Sequence, residues 1–289
     1  MKVLVAGASG VLGRLVIAEA MERGLAVRAL SRSGVVPSAV NLEVWRADAL
    51  RPATLHGACS GVDVVFSSLG ASVDPSPFAG WSPYTRVDTP ANLALLAEAK
   101  RAGVRRFVYT SLNGGDAARH LDYAEGHERV VDALRASGLP CTVLRPTGFF
   151  AAMTAFVDMA RRGGVMLFGD GSARTNPIDE RDLAKIAVDE MLVPERGVRT
   201  VACGGPEVFT RREIADLCGN VLGKRARVVS MSRGLAHNMG HALRLVSPRT
   251  GRFLQFAAYV MTHDCIAPAV GTRRLEDALR AYVEQRRVR

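Results

Sequence analysis

Val3-Leu4-Val5-Ala6 runs directly into Gly7-Ala8-Ser9-Gly10-Val11-Leu12-Gly13, and this order of strand, glycine turn and helix opens a dinucleotide-binding fold. Gly7 allows the tight turn, Gly10 lets the backbone close on a pyrophosphate, and Gly13 lets the following helix pack against the strand. With Ser9, Val11 and Leu12 they form a cradle whose helix N-terminus offers free N–H groups and a positive dipole end to phosphate. The spacing is G-x-x-G-x-x-G rather than G-x-G-x-x-G. A glycine triplet alone says little; the strand before it and the helix after it carry the reading.

The next strand, Ala26-Val27-Arg28-Ala29-Leu30-Ser31, is followed by Arg32 and Ser33, with no carboxylate before Glu43. A free ribose 2′-hydroxyl is usually held by Asp or Glu about twenty residues past the glycines, whereas a 2′-phosphate takes Arg. Guanidinium stays charged and gives bidentate hydrogen bonds to phosphate. Arg32 is therefore expected to favour NADPH over NADH, and Arg14 to add charge to the same pocket. The bland alternative for Arg32 is a solvated loop residue.

A chain of 289 residues with 48% hydrophobic and 23% charged residues is ordinary for one large core or a core with an annex. No apolar run reaches bilayer-spanning length, and nothing at the N-terminus has the pattern of a signal peptide. Cys59, Cys141, Cys203, Cys218 and Cys265 are scattered without a CxxC pair, which fits a reduced, cytoplasmic setting. A net charge of +10 raises nucleic acid as a partner. The basic pairs Arg105-Arg106, Arg161-Arg162 and Arg211-Arg212 are dispersed, however, and no nucleic-acid-binding motif accompanies them. The expected partner is a small-molecule substrate, with no nucleic acid and no membrane, for a monomer or homodimer.

Apolar strand patterns at Val3–Ala6, Ala26–Leu30, Leu42–Arg46, Val62–Ser67, Arg106–Thr110 and Cys141–Leu144 suit a parallel sheet covered on both faces. Pro90–Arg101 and Glu125–Ala136 read as amphipathic helices between them. Beyond Pro146 come strands at Val165–Phe168, Thr200–Ala202 and Arg227–Met231, and helices at Arg181–Met191 and Arg211–Leu222 capped by Asp179 and Thr210. Arg252–Met261 is apolar enough for a core helix, with a substrate lid and membrane contact as the alternatives in that order. The fold class is α/β: a Rossmann-type doubly wound parallel sheet over residues 1–150, with a small C-terminal α/β substrate annex, 151–289, folded onto it.

Tyr123 and His127 lie four apart, on one face of the helix after the fifth strand, and Ser111 ends that strand. A Tyr beside a cation and a Ser hydroxyl can protonate a carbonyl oxygen as hydride arrives. His237 and His241 are also four apart, but no third ligand lies near in sequence, so no metal is expected.

Gly7-x-x-Gly10-x-x-Gly13, Ala102-Gly103-Val104-Arg105-Arg106-Phe107-Val108-Tyr109-Thr110-Ser111 and Ser137-Gly138-Leu139-Pro140-Cys141-Thr142-Val143-Leu144-Arg145-Pro146 resemble the atypical short-chain dehydrogenase/reductase superfamily, in its NmrA-like and NAD(P)H-binding branch. Asn176-Pro177-Ile178-Asp179-Glu180-Arg181-Asp182-Leu183-Ala184 and Gly204-Gly205-Pro206-Glu207-Val208-Phe209-Thr210 continue the resemblance. It implies that Arg32 contacts the 2′-phosphate, Asp48 the adenine, and Ser68, Leu69 and Gly70 the cofactor. It places Thr110 and Ser111 near the nicotinamide ribose, and Pro146, Thr147 and Phe149 beside the nicotinamide. Where the family has Tyr-x-x-x-Lys, this chain has Tyr123-Ala124-Glu125-Gly126-His127; the family's usual hydroxyl position also aligns with Leu112, one place past Ser111.

The reading that follows is an NADPH-dependent reductase of a small, fairly apolar carbonyl or enone, with an annex rich in Phe149, Phe150, Phe156 and Phe253. The alternatives are an NmrA-like redox sensor that holds dinucleotide without turnover, and a cofactor-retaining epimerase, dehydratase or rearrangement enzyme.

Overall fold

A computed structural model describes residues 1–34, 42–70, 84–194 and 197–287, without the side chains of His237 and Arg249. The chain runs β1 (Lys2–Ala6), α1 (Val11–Glu22), β2 (Ala26–Ser31), β3 (Leu42–Arg46), β4 (Val64–Ser67), α2 (Tyr84–Arg101), β5 (Arg106–Thr110), α3 (Asp122–Ala136) and β6 (Cys141–Pro146). It continues through α4 (Phe150–Arg161), β7 (Val165–Phe168), β8 (Arg174–Thr175), α5 (Glu180–Leu192), β9 (Val198–Cys203), β10 (Phe209–Thr210) and α6 (Arg211–Val221). It ends with β11 (Val228–Met231), α7 (Arg233–Val246), α8 (Pro248–Thr262) and α9 (Leu275–Gln285).

The central sheet has seven strands in the order β3-β2-β1-β4-β5-β6-β9. Its parallel pairing explains the sequence pattern: β1, β4, β5 and β6 are covered on both faces and therefore almost wholly buried. The order reverses beside β1, and at such a switch point an open α/β sheet leaves a crevice at its carboxyl edge. All the glycine-turn and strand-end residues singled out above belong to that edge.

By internal packing the chain forms two compact units. One holds Met1–Ser72, Ser82–Arg145 and Leu183–Val201; the other includes Pro146–Asp182 and Ala202–Arg289. The units interleave along the chain, because α5 and most of β9 return to the first. In the second unit, α4, α6 and α9 pack around Val157, Leu167, Ile214 and Leu279. Phe150 and Phe156 are buried in that same cluster, so they are core and not free to line a substrate pocket.

Two elements depart from expectation. Helix α2 starts at Tyr84, with Pro90 inside it rather than at its first turn. Tertiary contacts hold the extra turns: Asp122 accepts from Tyr84 N and from Thr85 Oγ1 at 2.8 Å each, and Thr89 Oγ1 donates to Gly126 O. Helix α8 is not a core helix; its side chains are mostly half-buried, and it packs against α7 as a hairpin. Its apolar composition reflects two partial interfaces instead of full burial.

Candidate functional site

The glycine turn is built as its spacing requires. Gly7 has φ +85°, and a Cβ there would meet the Ser68 backbone and hydroxyl within 3.0 Å. At Gly13 a Cβ would sit 2.1 Å from Gly7 O, so only glycine lets α1 approach. Gly10 differs: its φ of −74° suits any residue, and the nearest atom to an added Cβ is Gly7 O at 3.3 Å. The backbone does not demand glycine at Gly10. The missing side chain instead leaves open the space over the N-terminus of α1.

That N-terminus has no side-chain cap and no acidic residue in its first turn. Its N–H groups are therefore free for an anion, and the helix dipole favours one. Ser9, Gly10 and Val11 are exposed around the opening, whereas Leu12 is in the core and can contribute only its backbone N–H. These features fit the pyrophosphate of a dinucleotide.

Arg32 follows β2 and is exposed. Sequence reading missed its neighbour. In the β2–β3 register Ser31 stands opposite Arg46, and Arg46 Nε donates to Arg32 O at 3.3 Å. Two guanidinium-bearing residues are thus held together at one strand edge, and neither has an ion pair among the described residues. Asp48, just beyond, is half-buried and caps its own turn: Oδ1 accepts from Leu50 N, and the main-chain carbonyl accepts from Thr54 Oγ1.

At the end of β4, Ser67 Oγ donates to Asn92 Oδ1 at 2.6 Å, and Asn92 Nδ2 donates to Leu69 O at 3.1 Å. This latch fixes the backbone of Ser68 and Leu69 beside the glycine turn. Gly70 is exposed and passes close to Asp88, whose Oδ2 would lie 3.3 Å from an added Cβ.

At the end of β5 stand two buried hydroxyls, Thr110 Oγ1 and Ser111 Oγ, and neither has a hydrogen-bond partner among the described residues. An unsatisfied buried hydroxyl typically costs about 1–3 kcal/mol, so a pair of them at a crevice calls for a ligand that would satisfy them. The Ser111 backbone is fixed by its N–H donating to Leu144 O at 2.8 Å. Ser111 Oγ therefore bonds to neither Tyr123 nor His127.

Tyr123 and His127 do meet, edge to face with ring centroids 4.9 Å apart, and Tyr84 packs on Tyr123 at the same distance. The electrostatics run against the expected Tyr–cation pair. His127 Nδ1 is hydrogen-bonded to Tyr109 OH at 2.7 Å. Burial first, and then the Arg145 guanidinium, push the imidazole down to about 4. Arg145 is itself held by Glu128 at 2.9 Å and donates to Leu112 O. His127 is thus neutral at pH 7 and provides no charge to the phenol. Tyr123 is held protonated, its pKa raised by burial, then by Asp88 and Tyr84. A pH profile falling near the ordinary imidazole value therefore does not follow from this geometry.

A stability profile does follow. The unfolded chain takes up a proton at His127 near its ordinary value of 6.5, and the folded one only near 4. Between those values the unfolded state binds more protons, so acidification across that window removes about 3 kcal/mol, all of it present above pH 6.5. Denaturant titrations from pH 7 to pH 4 are expected to show this loss in the wild type and a flatter dependence in His127→Gln. Parallel curves for the two proteins would contradict the burial argument.

In the second unit Pro146 and Thr147 are buried, while Gly148 and Phe149 are half-buried. Thr147 Oγ1 donates to Asn176 O, and its N–H to Cys203 O, so this side chain pins the loop and has no free hydroxyl to offer. Phe149 bridges to Ile178. Among the described residues no group of three or more His, Cys, Asp or Glu is arranged to hold a metal. The side chain of His237 lies outside the described residues.

A doubly wound sheet with an uncapped helix N-terminus over an open glycine is the architecture of a dinucleotide-binding protein. The chain belongs to the NAD(P)H-binding family, whose model matches residues 7–192. It is 28% identical over 238 residues to photosystem II assembly factor Ycf39 of Guillardia theta, covering 80% of this chain and 73% of that protein. It is 30% identical over 228 residues to the (4-alkanoyl-5-oxo-2,5-dihydrofuran-3-yl)methyl phosphate reductase of Streptomyces griseus, covering 78% and 75%. In fold it is similar to the Escherichia coli NADPH-dependent quinone oxidoreductase QOR2 complexed with NADPH. That likeness has a TM-score of 0.74 at 22% identity and covers 98% of this chain and 100% of that one. No helix among the described residues is long and apolar enough to cross a membrane.

Proposed function

We propose that this protein is an NADPH-dependent reductase of a small, fairly apolar carbonyl or enone. The observation that carries the cofactor choice is the Arg32–Arg46 juxtaposition: Arg46 Nε donates to the main-chain carbonyl of Arg32 at the edge of β2 and β3, and neither side chain has an ion pair among the described residues. A 2′-phosphate satisfies both; a free ribose hydroxyl satisfies neither. The Streptomyces reductase among the relatives supports the redox reading. The absence of a disulfide among the described residues supports a reducing compartment such as the cytoplasm.

When bound, the cofactor supplies the hydride. The chain supplies the rest. The N-terminus of α1 holds the pyrophosphate, and the backbone of Ser68 to Gly70 lines the cofactor on one side. Thr110 Oγ1 takes a ribose hydroxyl, and Ser111 Oγ–H donates to the substrate oxygen. Tyr123, kept protonated at neutral pH by its surroundings, delivers the proton to that oxygen and recovers it from solvent. His127 positions the Tyr123 ring by contact and carries no charge in the reaction.

Calorimetric titration tests the cofactor assignment. NADPH is expected to bind more tightly than NADH, and Arg32→Ala and Arg46→Ala each to weaken NADPH by roughly tenfold to a hundredfold, about 1.5–3 kcal/mol. NADH affinity is expected to stay unchanged in both variants. Equal affinities in the wild type would remove the assignment. Turnover is tested by the loss of reduced-nicotinamide absorbance against a panel of carbonyls, enones and quinones.

One observation favours a second reading. A neutral His127 stands where the family has a lysine, which suits a redox sensor that binds NADPH without turning over. Tight NADPH binding with no oxidation across the panel would select it.

A further inference from the structure

Between Asp216 and Asp264 the sequence contains no acidic residue and seven Lys or Arg, a local charge of +7 within a chain of net +10. The hairpin of α7 and α8 lies in this stretch. Its helices approach closely where glycines permit it: a Cβ on Gly251 would lie 2.5 Å from Gly240 O. One side of the hairpin is anchored, with Ala236 and Ala258 buried against Phe168.

The other side of α7 is apolar and exposed. Leu235, Met239, Ala242 and Val246 recur at spacings of four, three and four, which places them in one stripe along the helix. At its end, Leu245 is 89% exposed and Val246 75%, at the tip where α7 turns into α8 through Ser247 and Pro248. Arg233 and Arg244 on the same helix are exposed as well. Arg244 directly precedes this apolar tip, Arg233 begins the same helix, and no carboxylate lies nearby in the chain, so a partner must satisfy an apolar and a cationic half together.

The charge narrows the choice of partner. Two copies of this surface would bring like charges together, which disfavours self-association through it. A hydrated polyanion would meet the guanidiniums but leave Leu245 and Val246 in water. An anionic bilayer surface satisfies both, taking apolar side chains at the headgroup–acyl boundary and cations at the lipid phosphates. We propose that the α7–α8 hairpin docks this protein on an anionic membrane surface, with Leu245 and Val246 entering the headgroup boundary. Arg233 and Arg244 pair with lipid phosphates. The sequence expectation of no membrane partner rested on the lengths of apolar runs, and those lengths bear on spanning a bilayer but not on lying against one.

Co-sedimentation of the full chain with lipid vesicles tests the docking. Binding is expected to vesicles of phosphatidylcholine containing phosphatidylglycerol, to be weak on pure phosphatidylcholine, and to be released by high salt. Leu245→Glu with Val246→Glu is expected to lower the partition coefficient at least about tenfold. Circular dichroism and the melting temperature should stay unchanged, because both side chains are exposed. Arg233→Gln with Arg244→Gln is expected to weaken binding to the anionic vesicles alone. Equal binding to both lipid compositions, no binding to either, or undiminished binding of the Leu245/Val246 variant would each overturn the proposal. So would a wild-type dimer in vesicle-free solution that the same variant dissociates, since the stripe would then be covered by a second copy.

Discussion

Gly10→Val is expected to abolish dinucleotide binding while leaving the fold and its melting temperature intact. The backbone at Gly10 is ordinary extended chain, with φ −74° and ψ 167°, so valine meets no conformational penalty there. An added Cβ touches only Gly7 O, at 3.3 Å, and its methyl groups would project into the open space over the α1 N-terminus. A pyrophosphate held by those N–H groups could no longer approach, and affinity should fall about a hundredfold or more. Gly13→Ala provides the contrast. Its Cβ would sit 2.1 Å from Gly7 O, so it should destabilise the protein by about 1–3 kcal/mol through overpacking. Calorimetric NADPH titration and thermal melting of both variants separate the two roles. Normal NADPH binding by Gly10→Val would place the pyrophosphate elsewhere.

The second large effect is expected at Tyr123 and Ser111. Tyr123→Phe should lower turnover by about 10²–10⁴ and leave NADPH affinity nearly unchanged, because it removes only the proton donor. Ser111→Ala should also slow turnover. Its effect on stability is diagnostic: the wild-type hydroxyl is buried and has no partner among the described residues, so removing it should leave the melting temperature equal or higher. A group that weakens the fold and speeds the reaction marks a functional position. Because Tyr123 is held protonated and His127 is already neutral, the rate should be flat from about pH 6 to pH 8. Unchanged turnover in Tyr123→Phe would remove it from the mechanism, and a rate falling as pH rises through the imidazole range would restore a charged role for His127.

The contribution of the sequence differs from feature to feature. The glycine spacing, the buried β1, β4, β5 and β6 patterns and the N-cap of α6 at Thr210 were legible because each depends on neighbours within a few residues. The same holds for Arg32, whose place is counted from the glycines. Arg46 was not legible, because its meaning comes from standing opposite Ser31 in a parallel register that no local pattern encodes. Helix α2 begins before Pro90 because hydrogen bonds to Asp122 and Gly126 of α3 hold its first turns, and those bonds cross 37 or 38 positions of chain.

The charge of His127 lies furthest from what sequence decides. By itself the sequence determined that an imidazole follows Tyr123 at helical spacing, and an imidazole in water titrates near neutrality. Tertiary structure decided that this one is neutral. It buried the ring, engaged Nδ1 with Tyr109 from β5, and brought up the Arg145 guanidinium from β6. Local geometry follows from spacing along the chain, whereas ionisation depends on solvent exclusion and on charges contributed by distant strands.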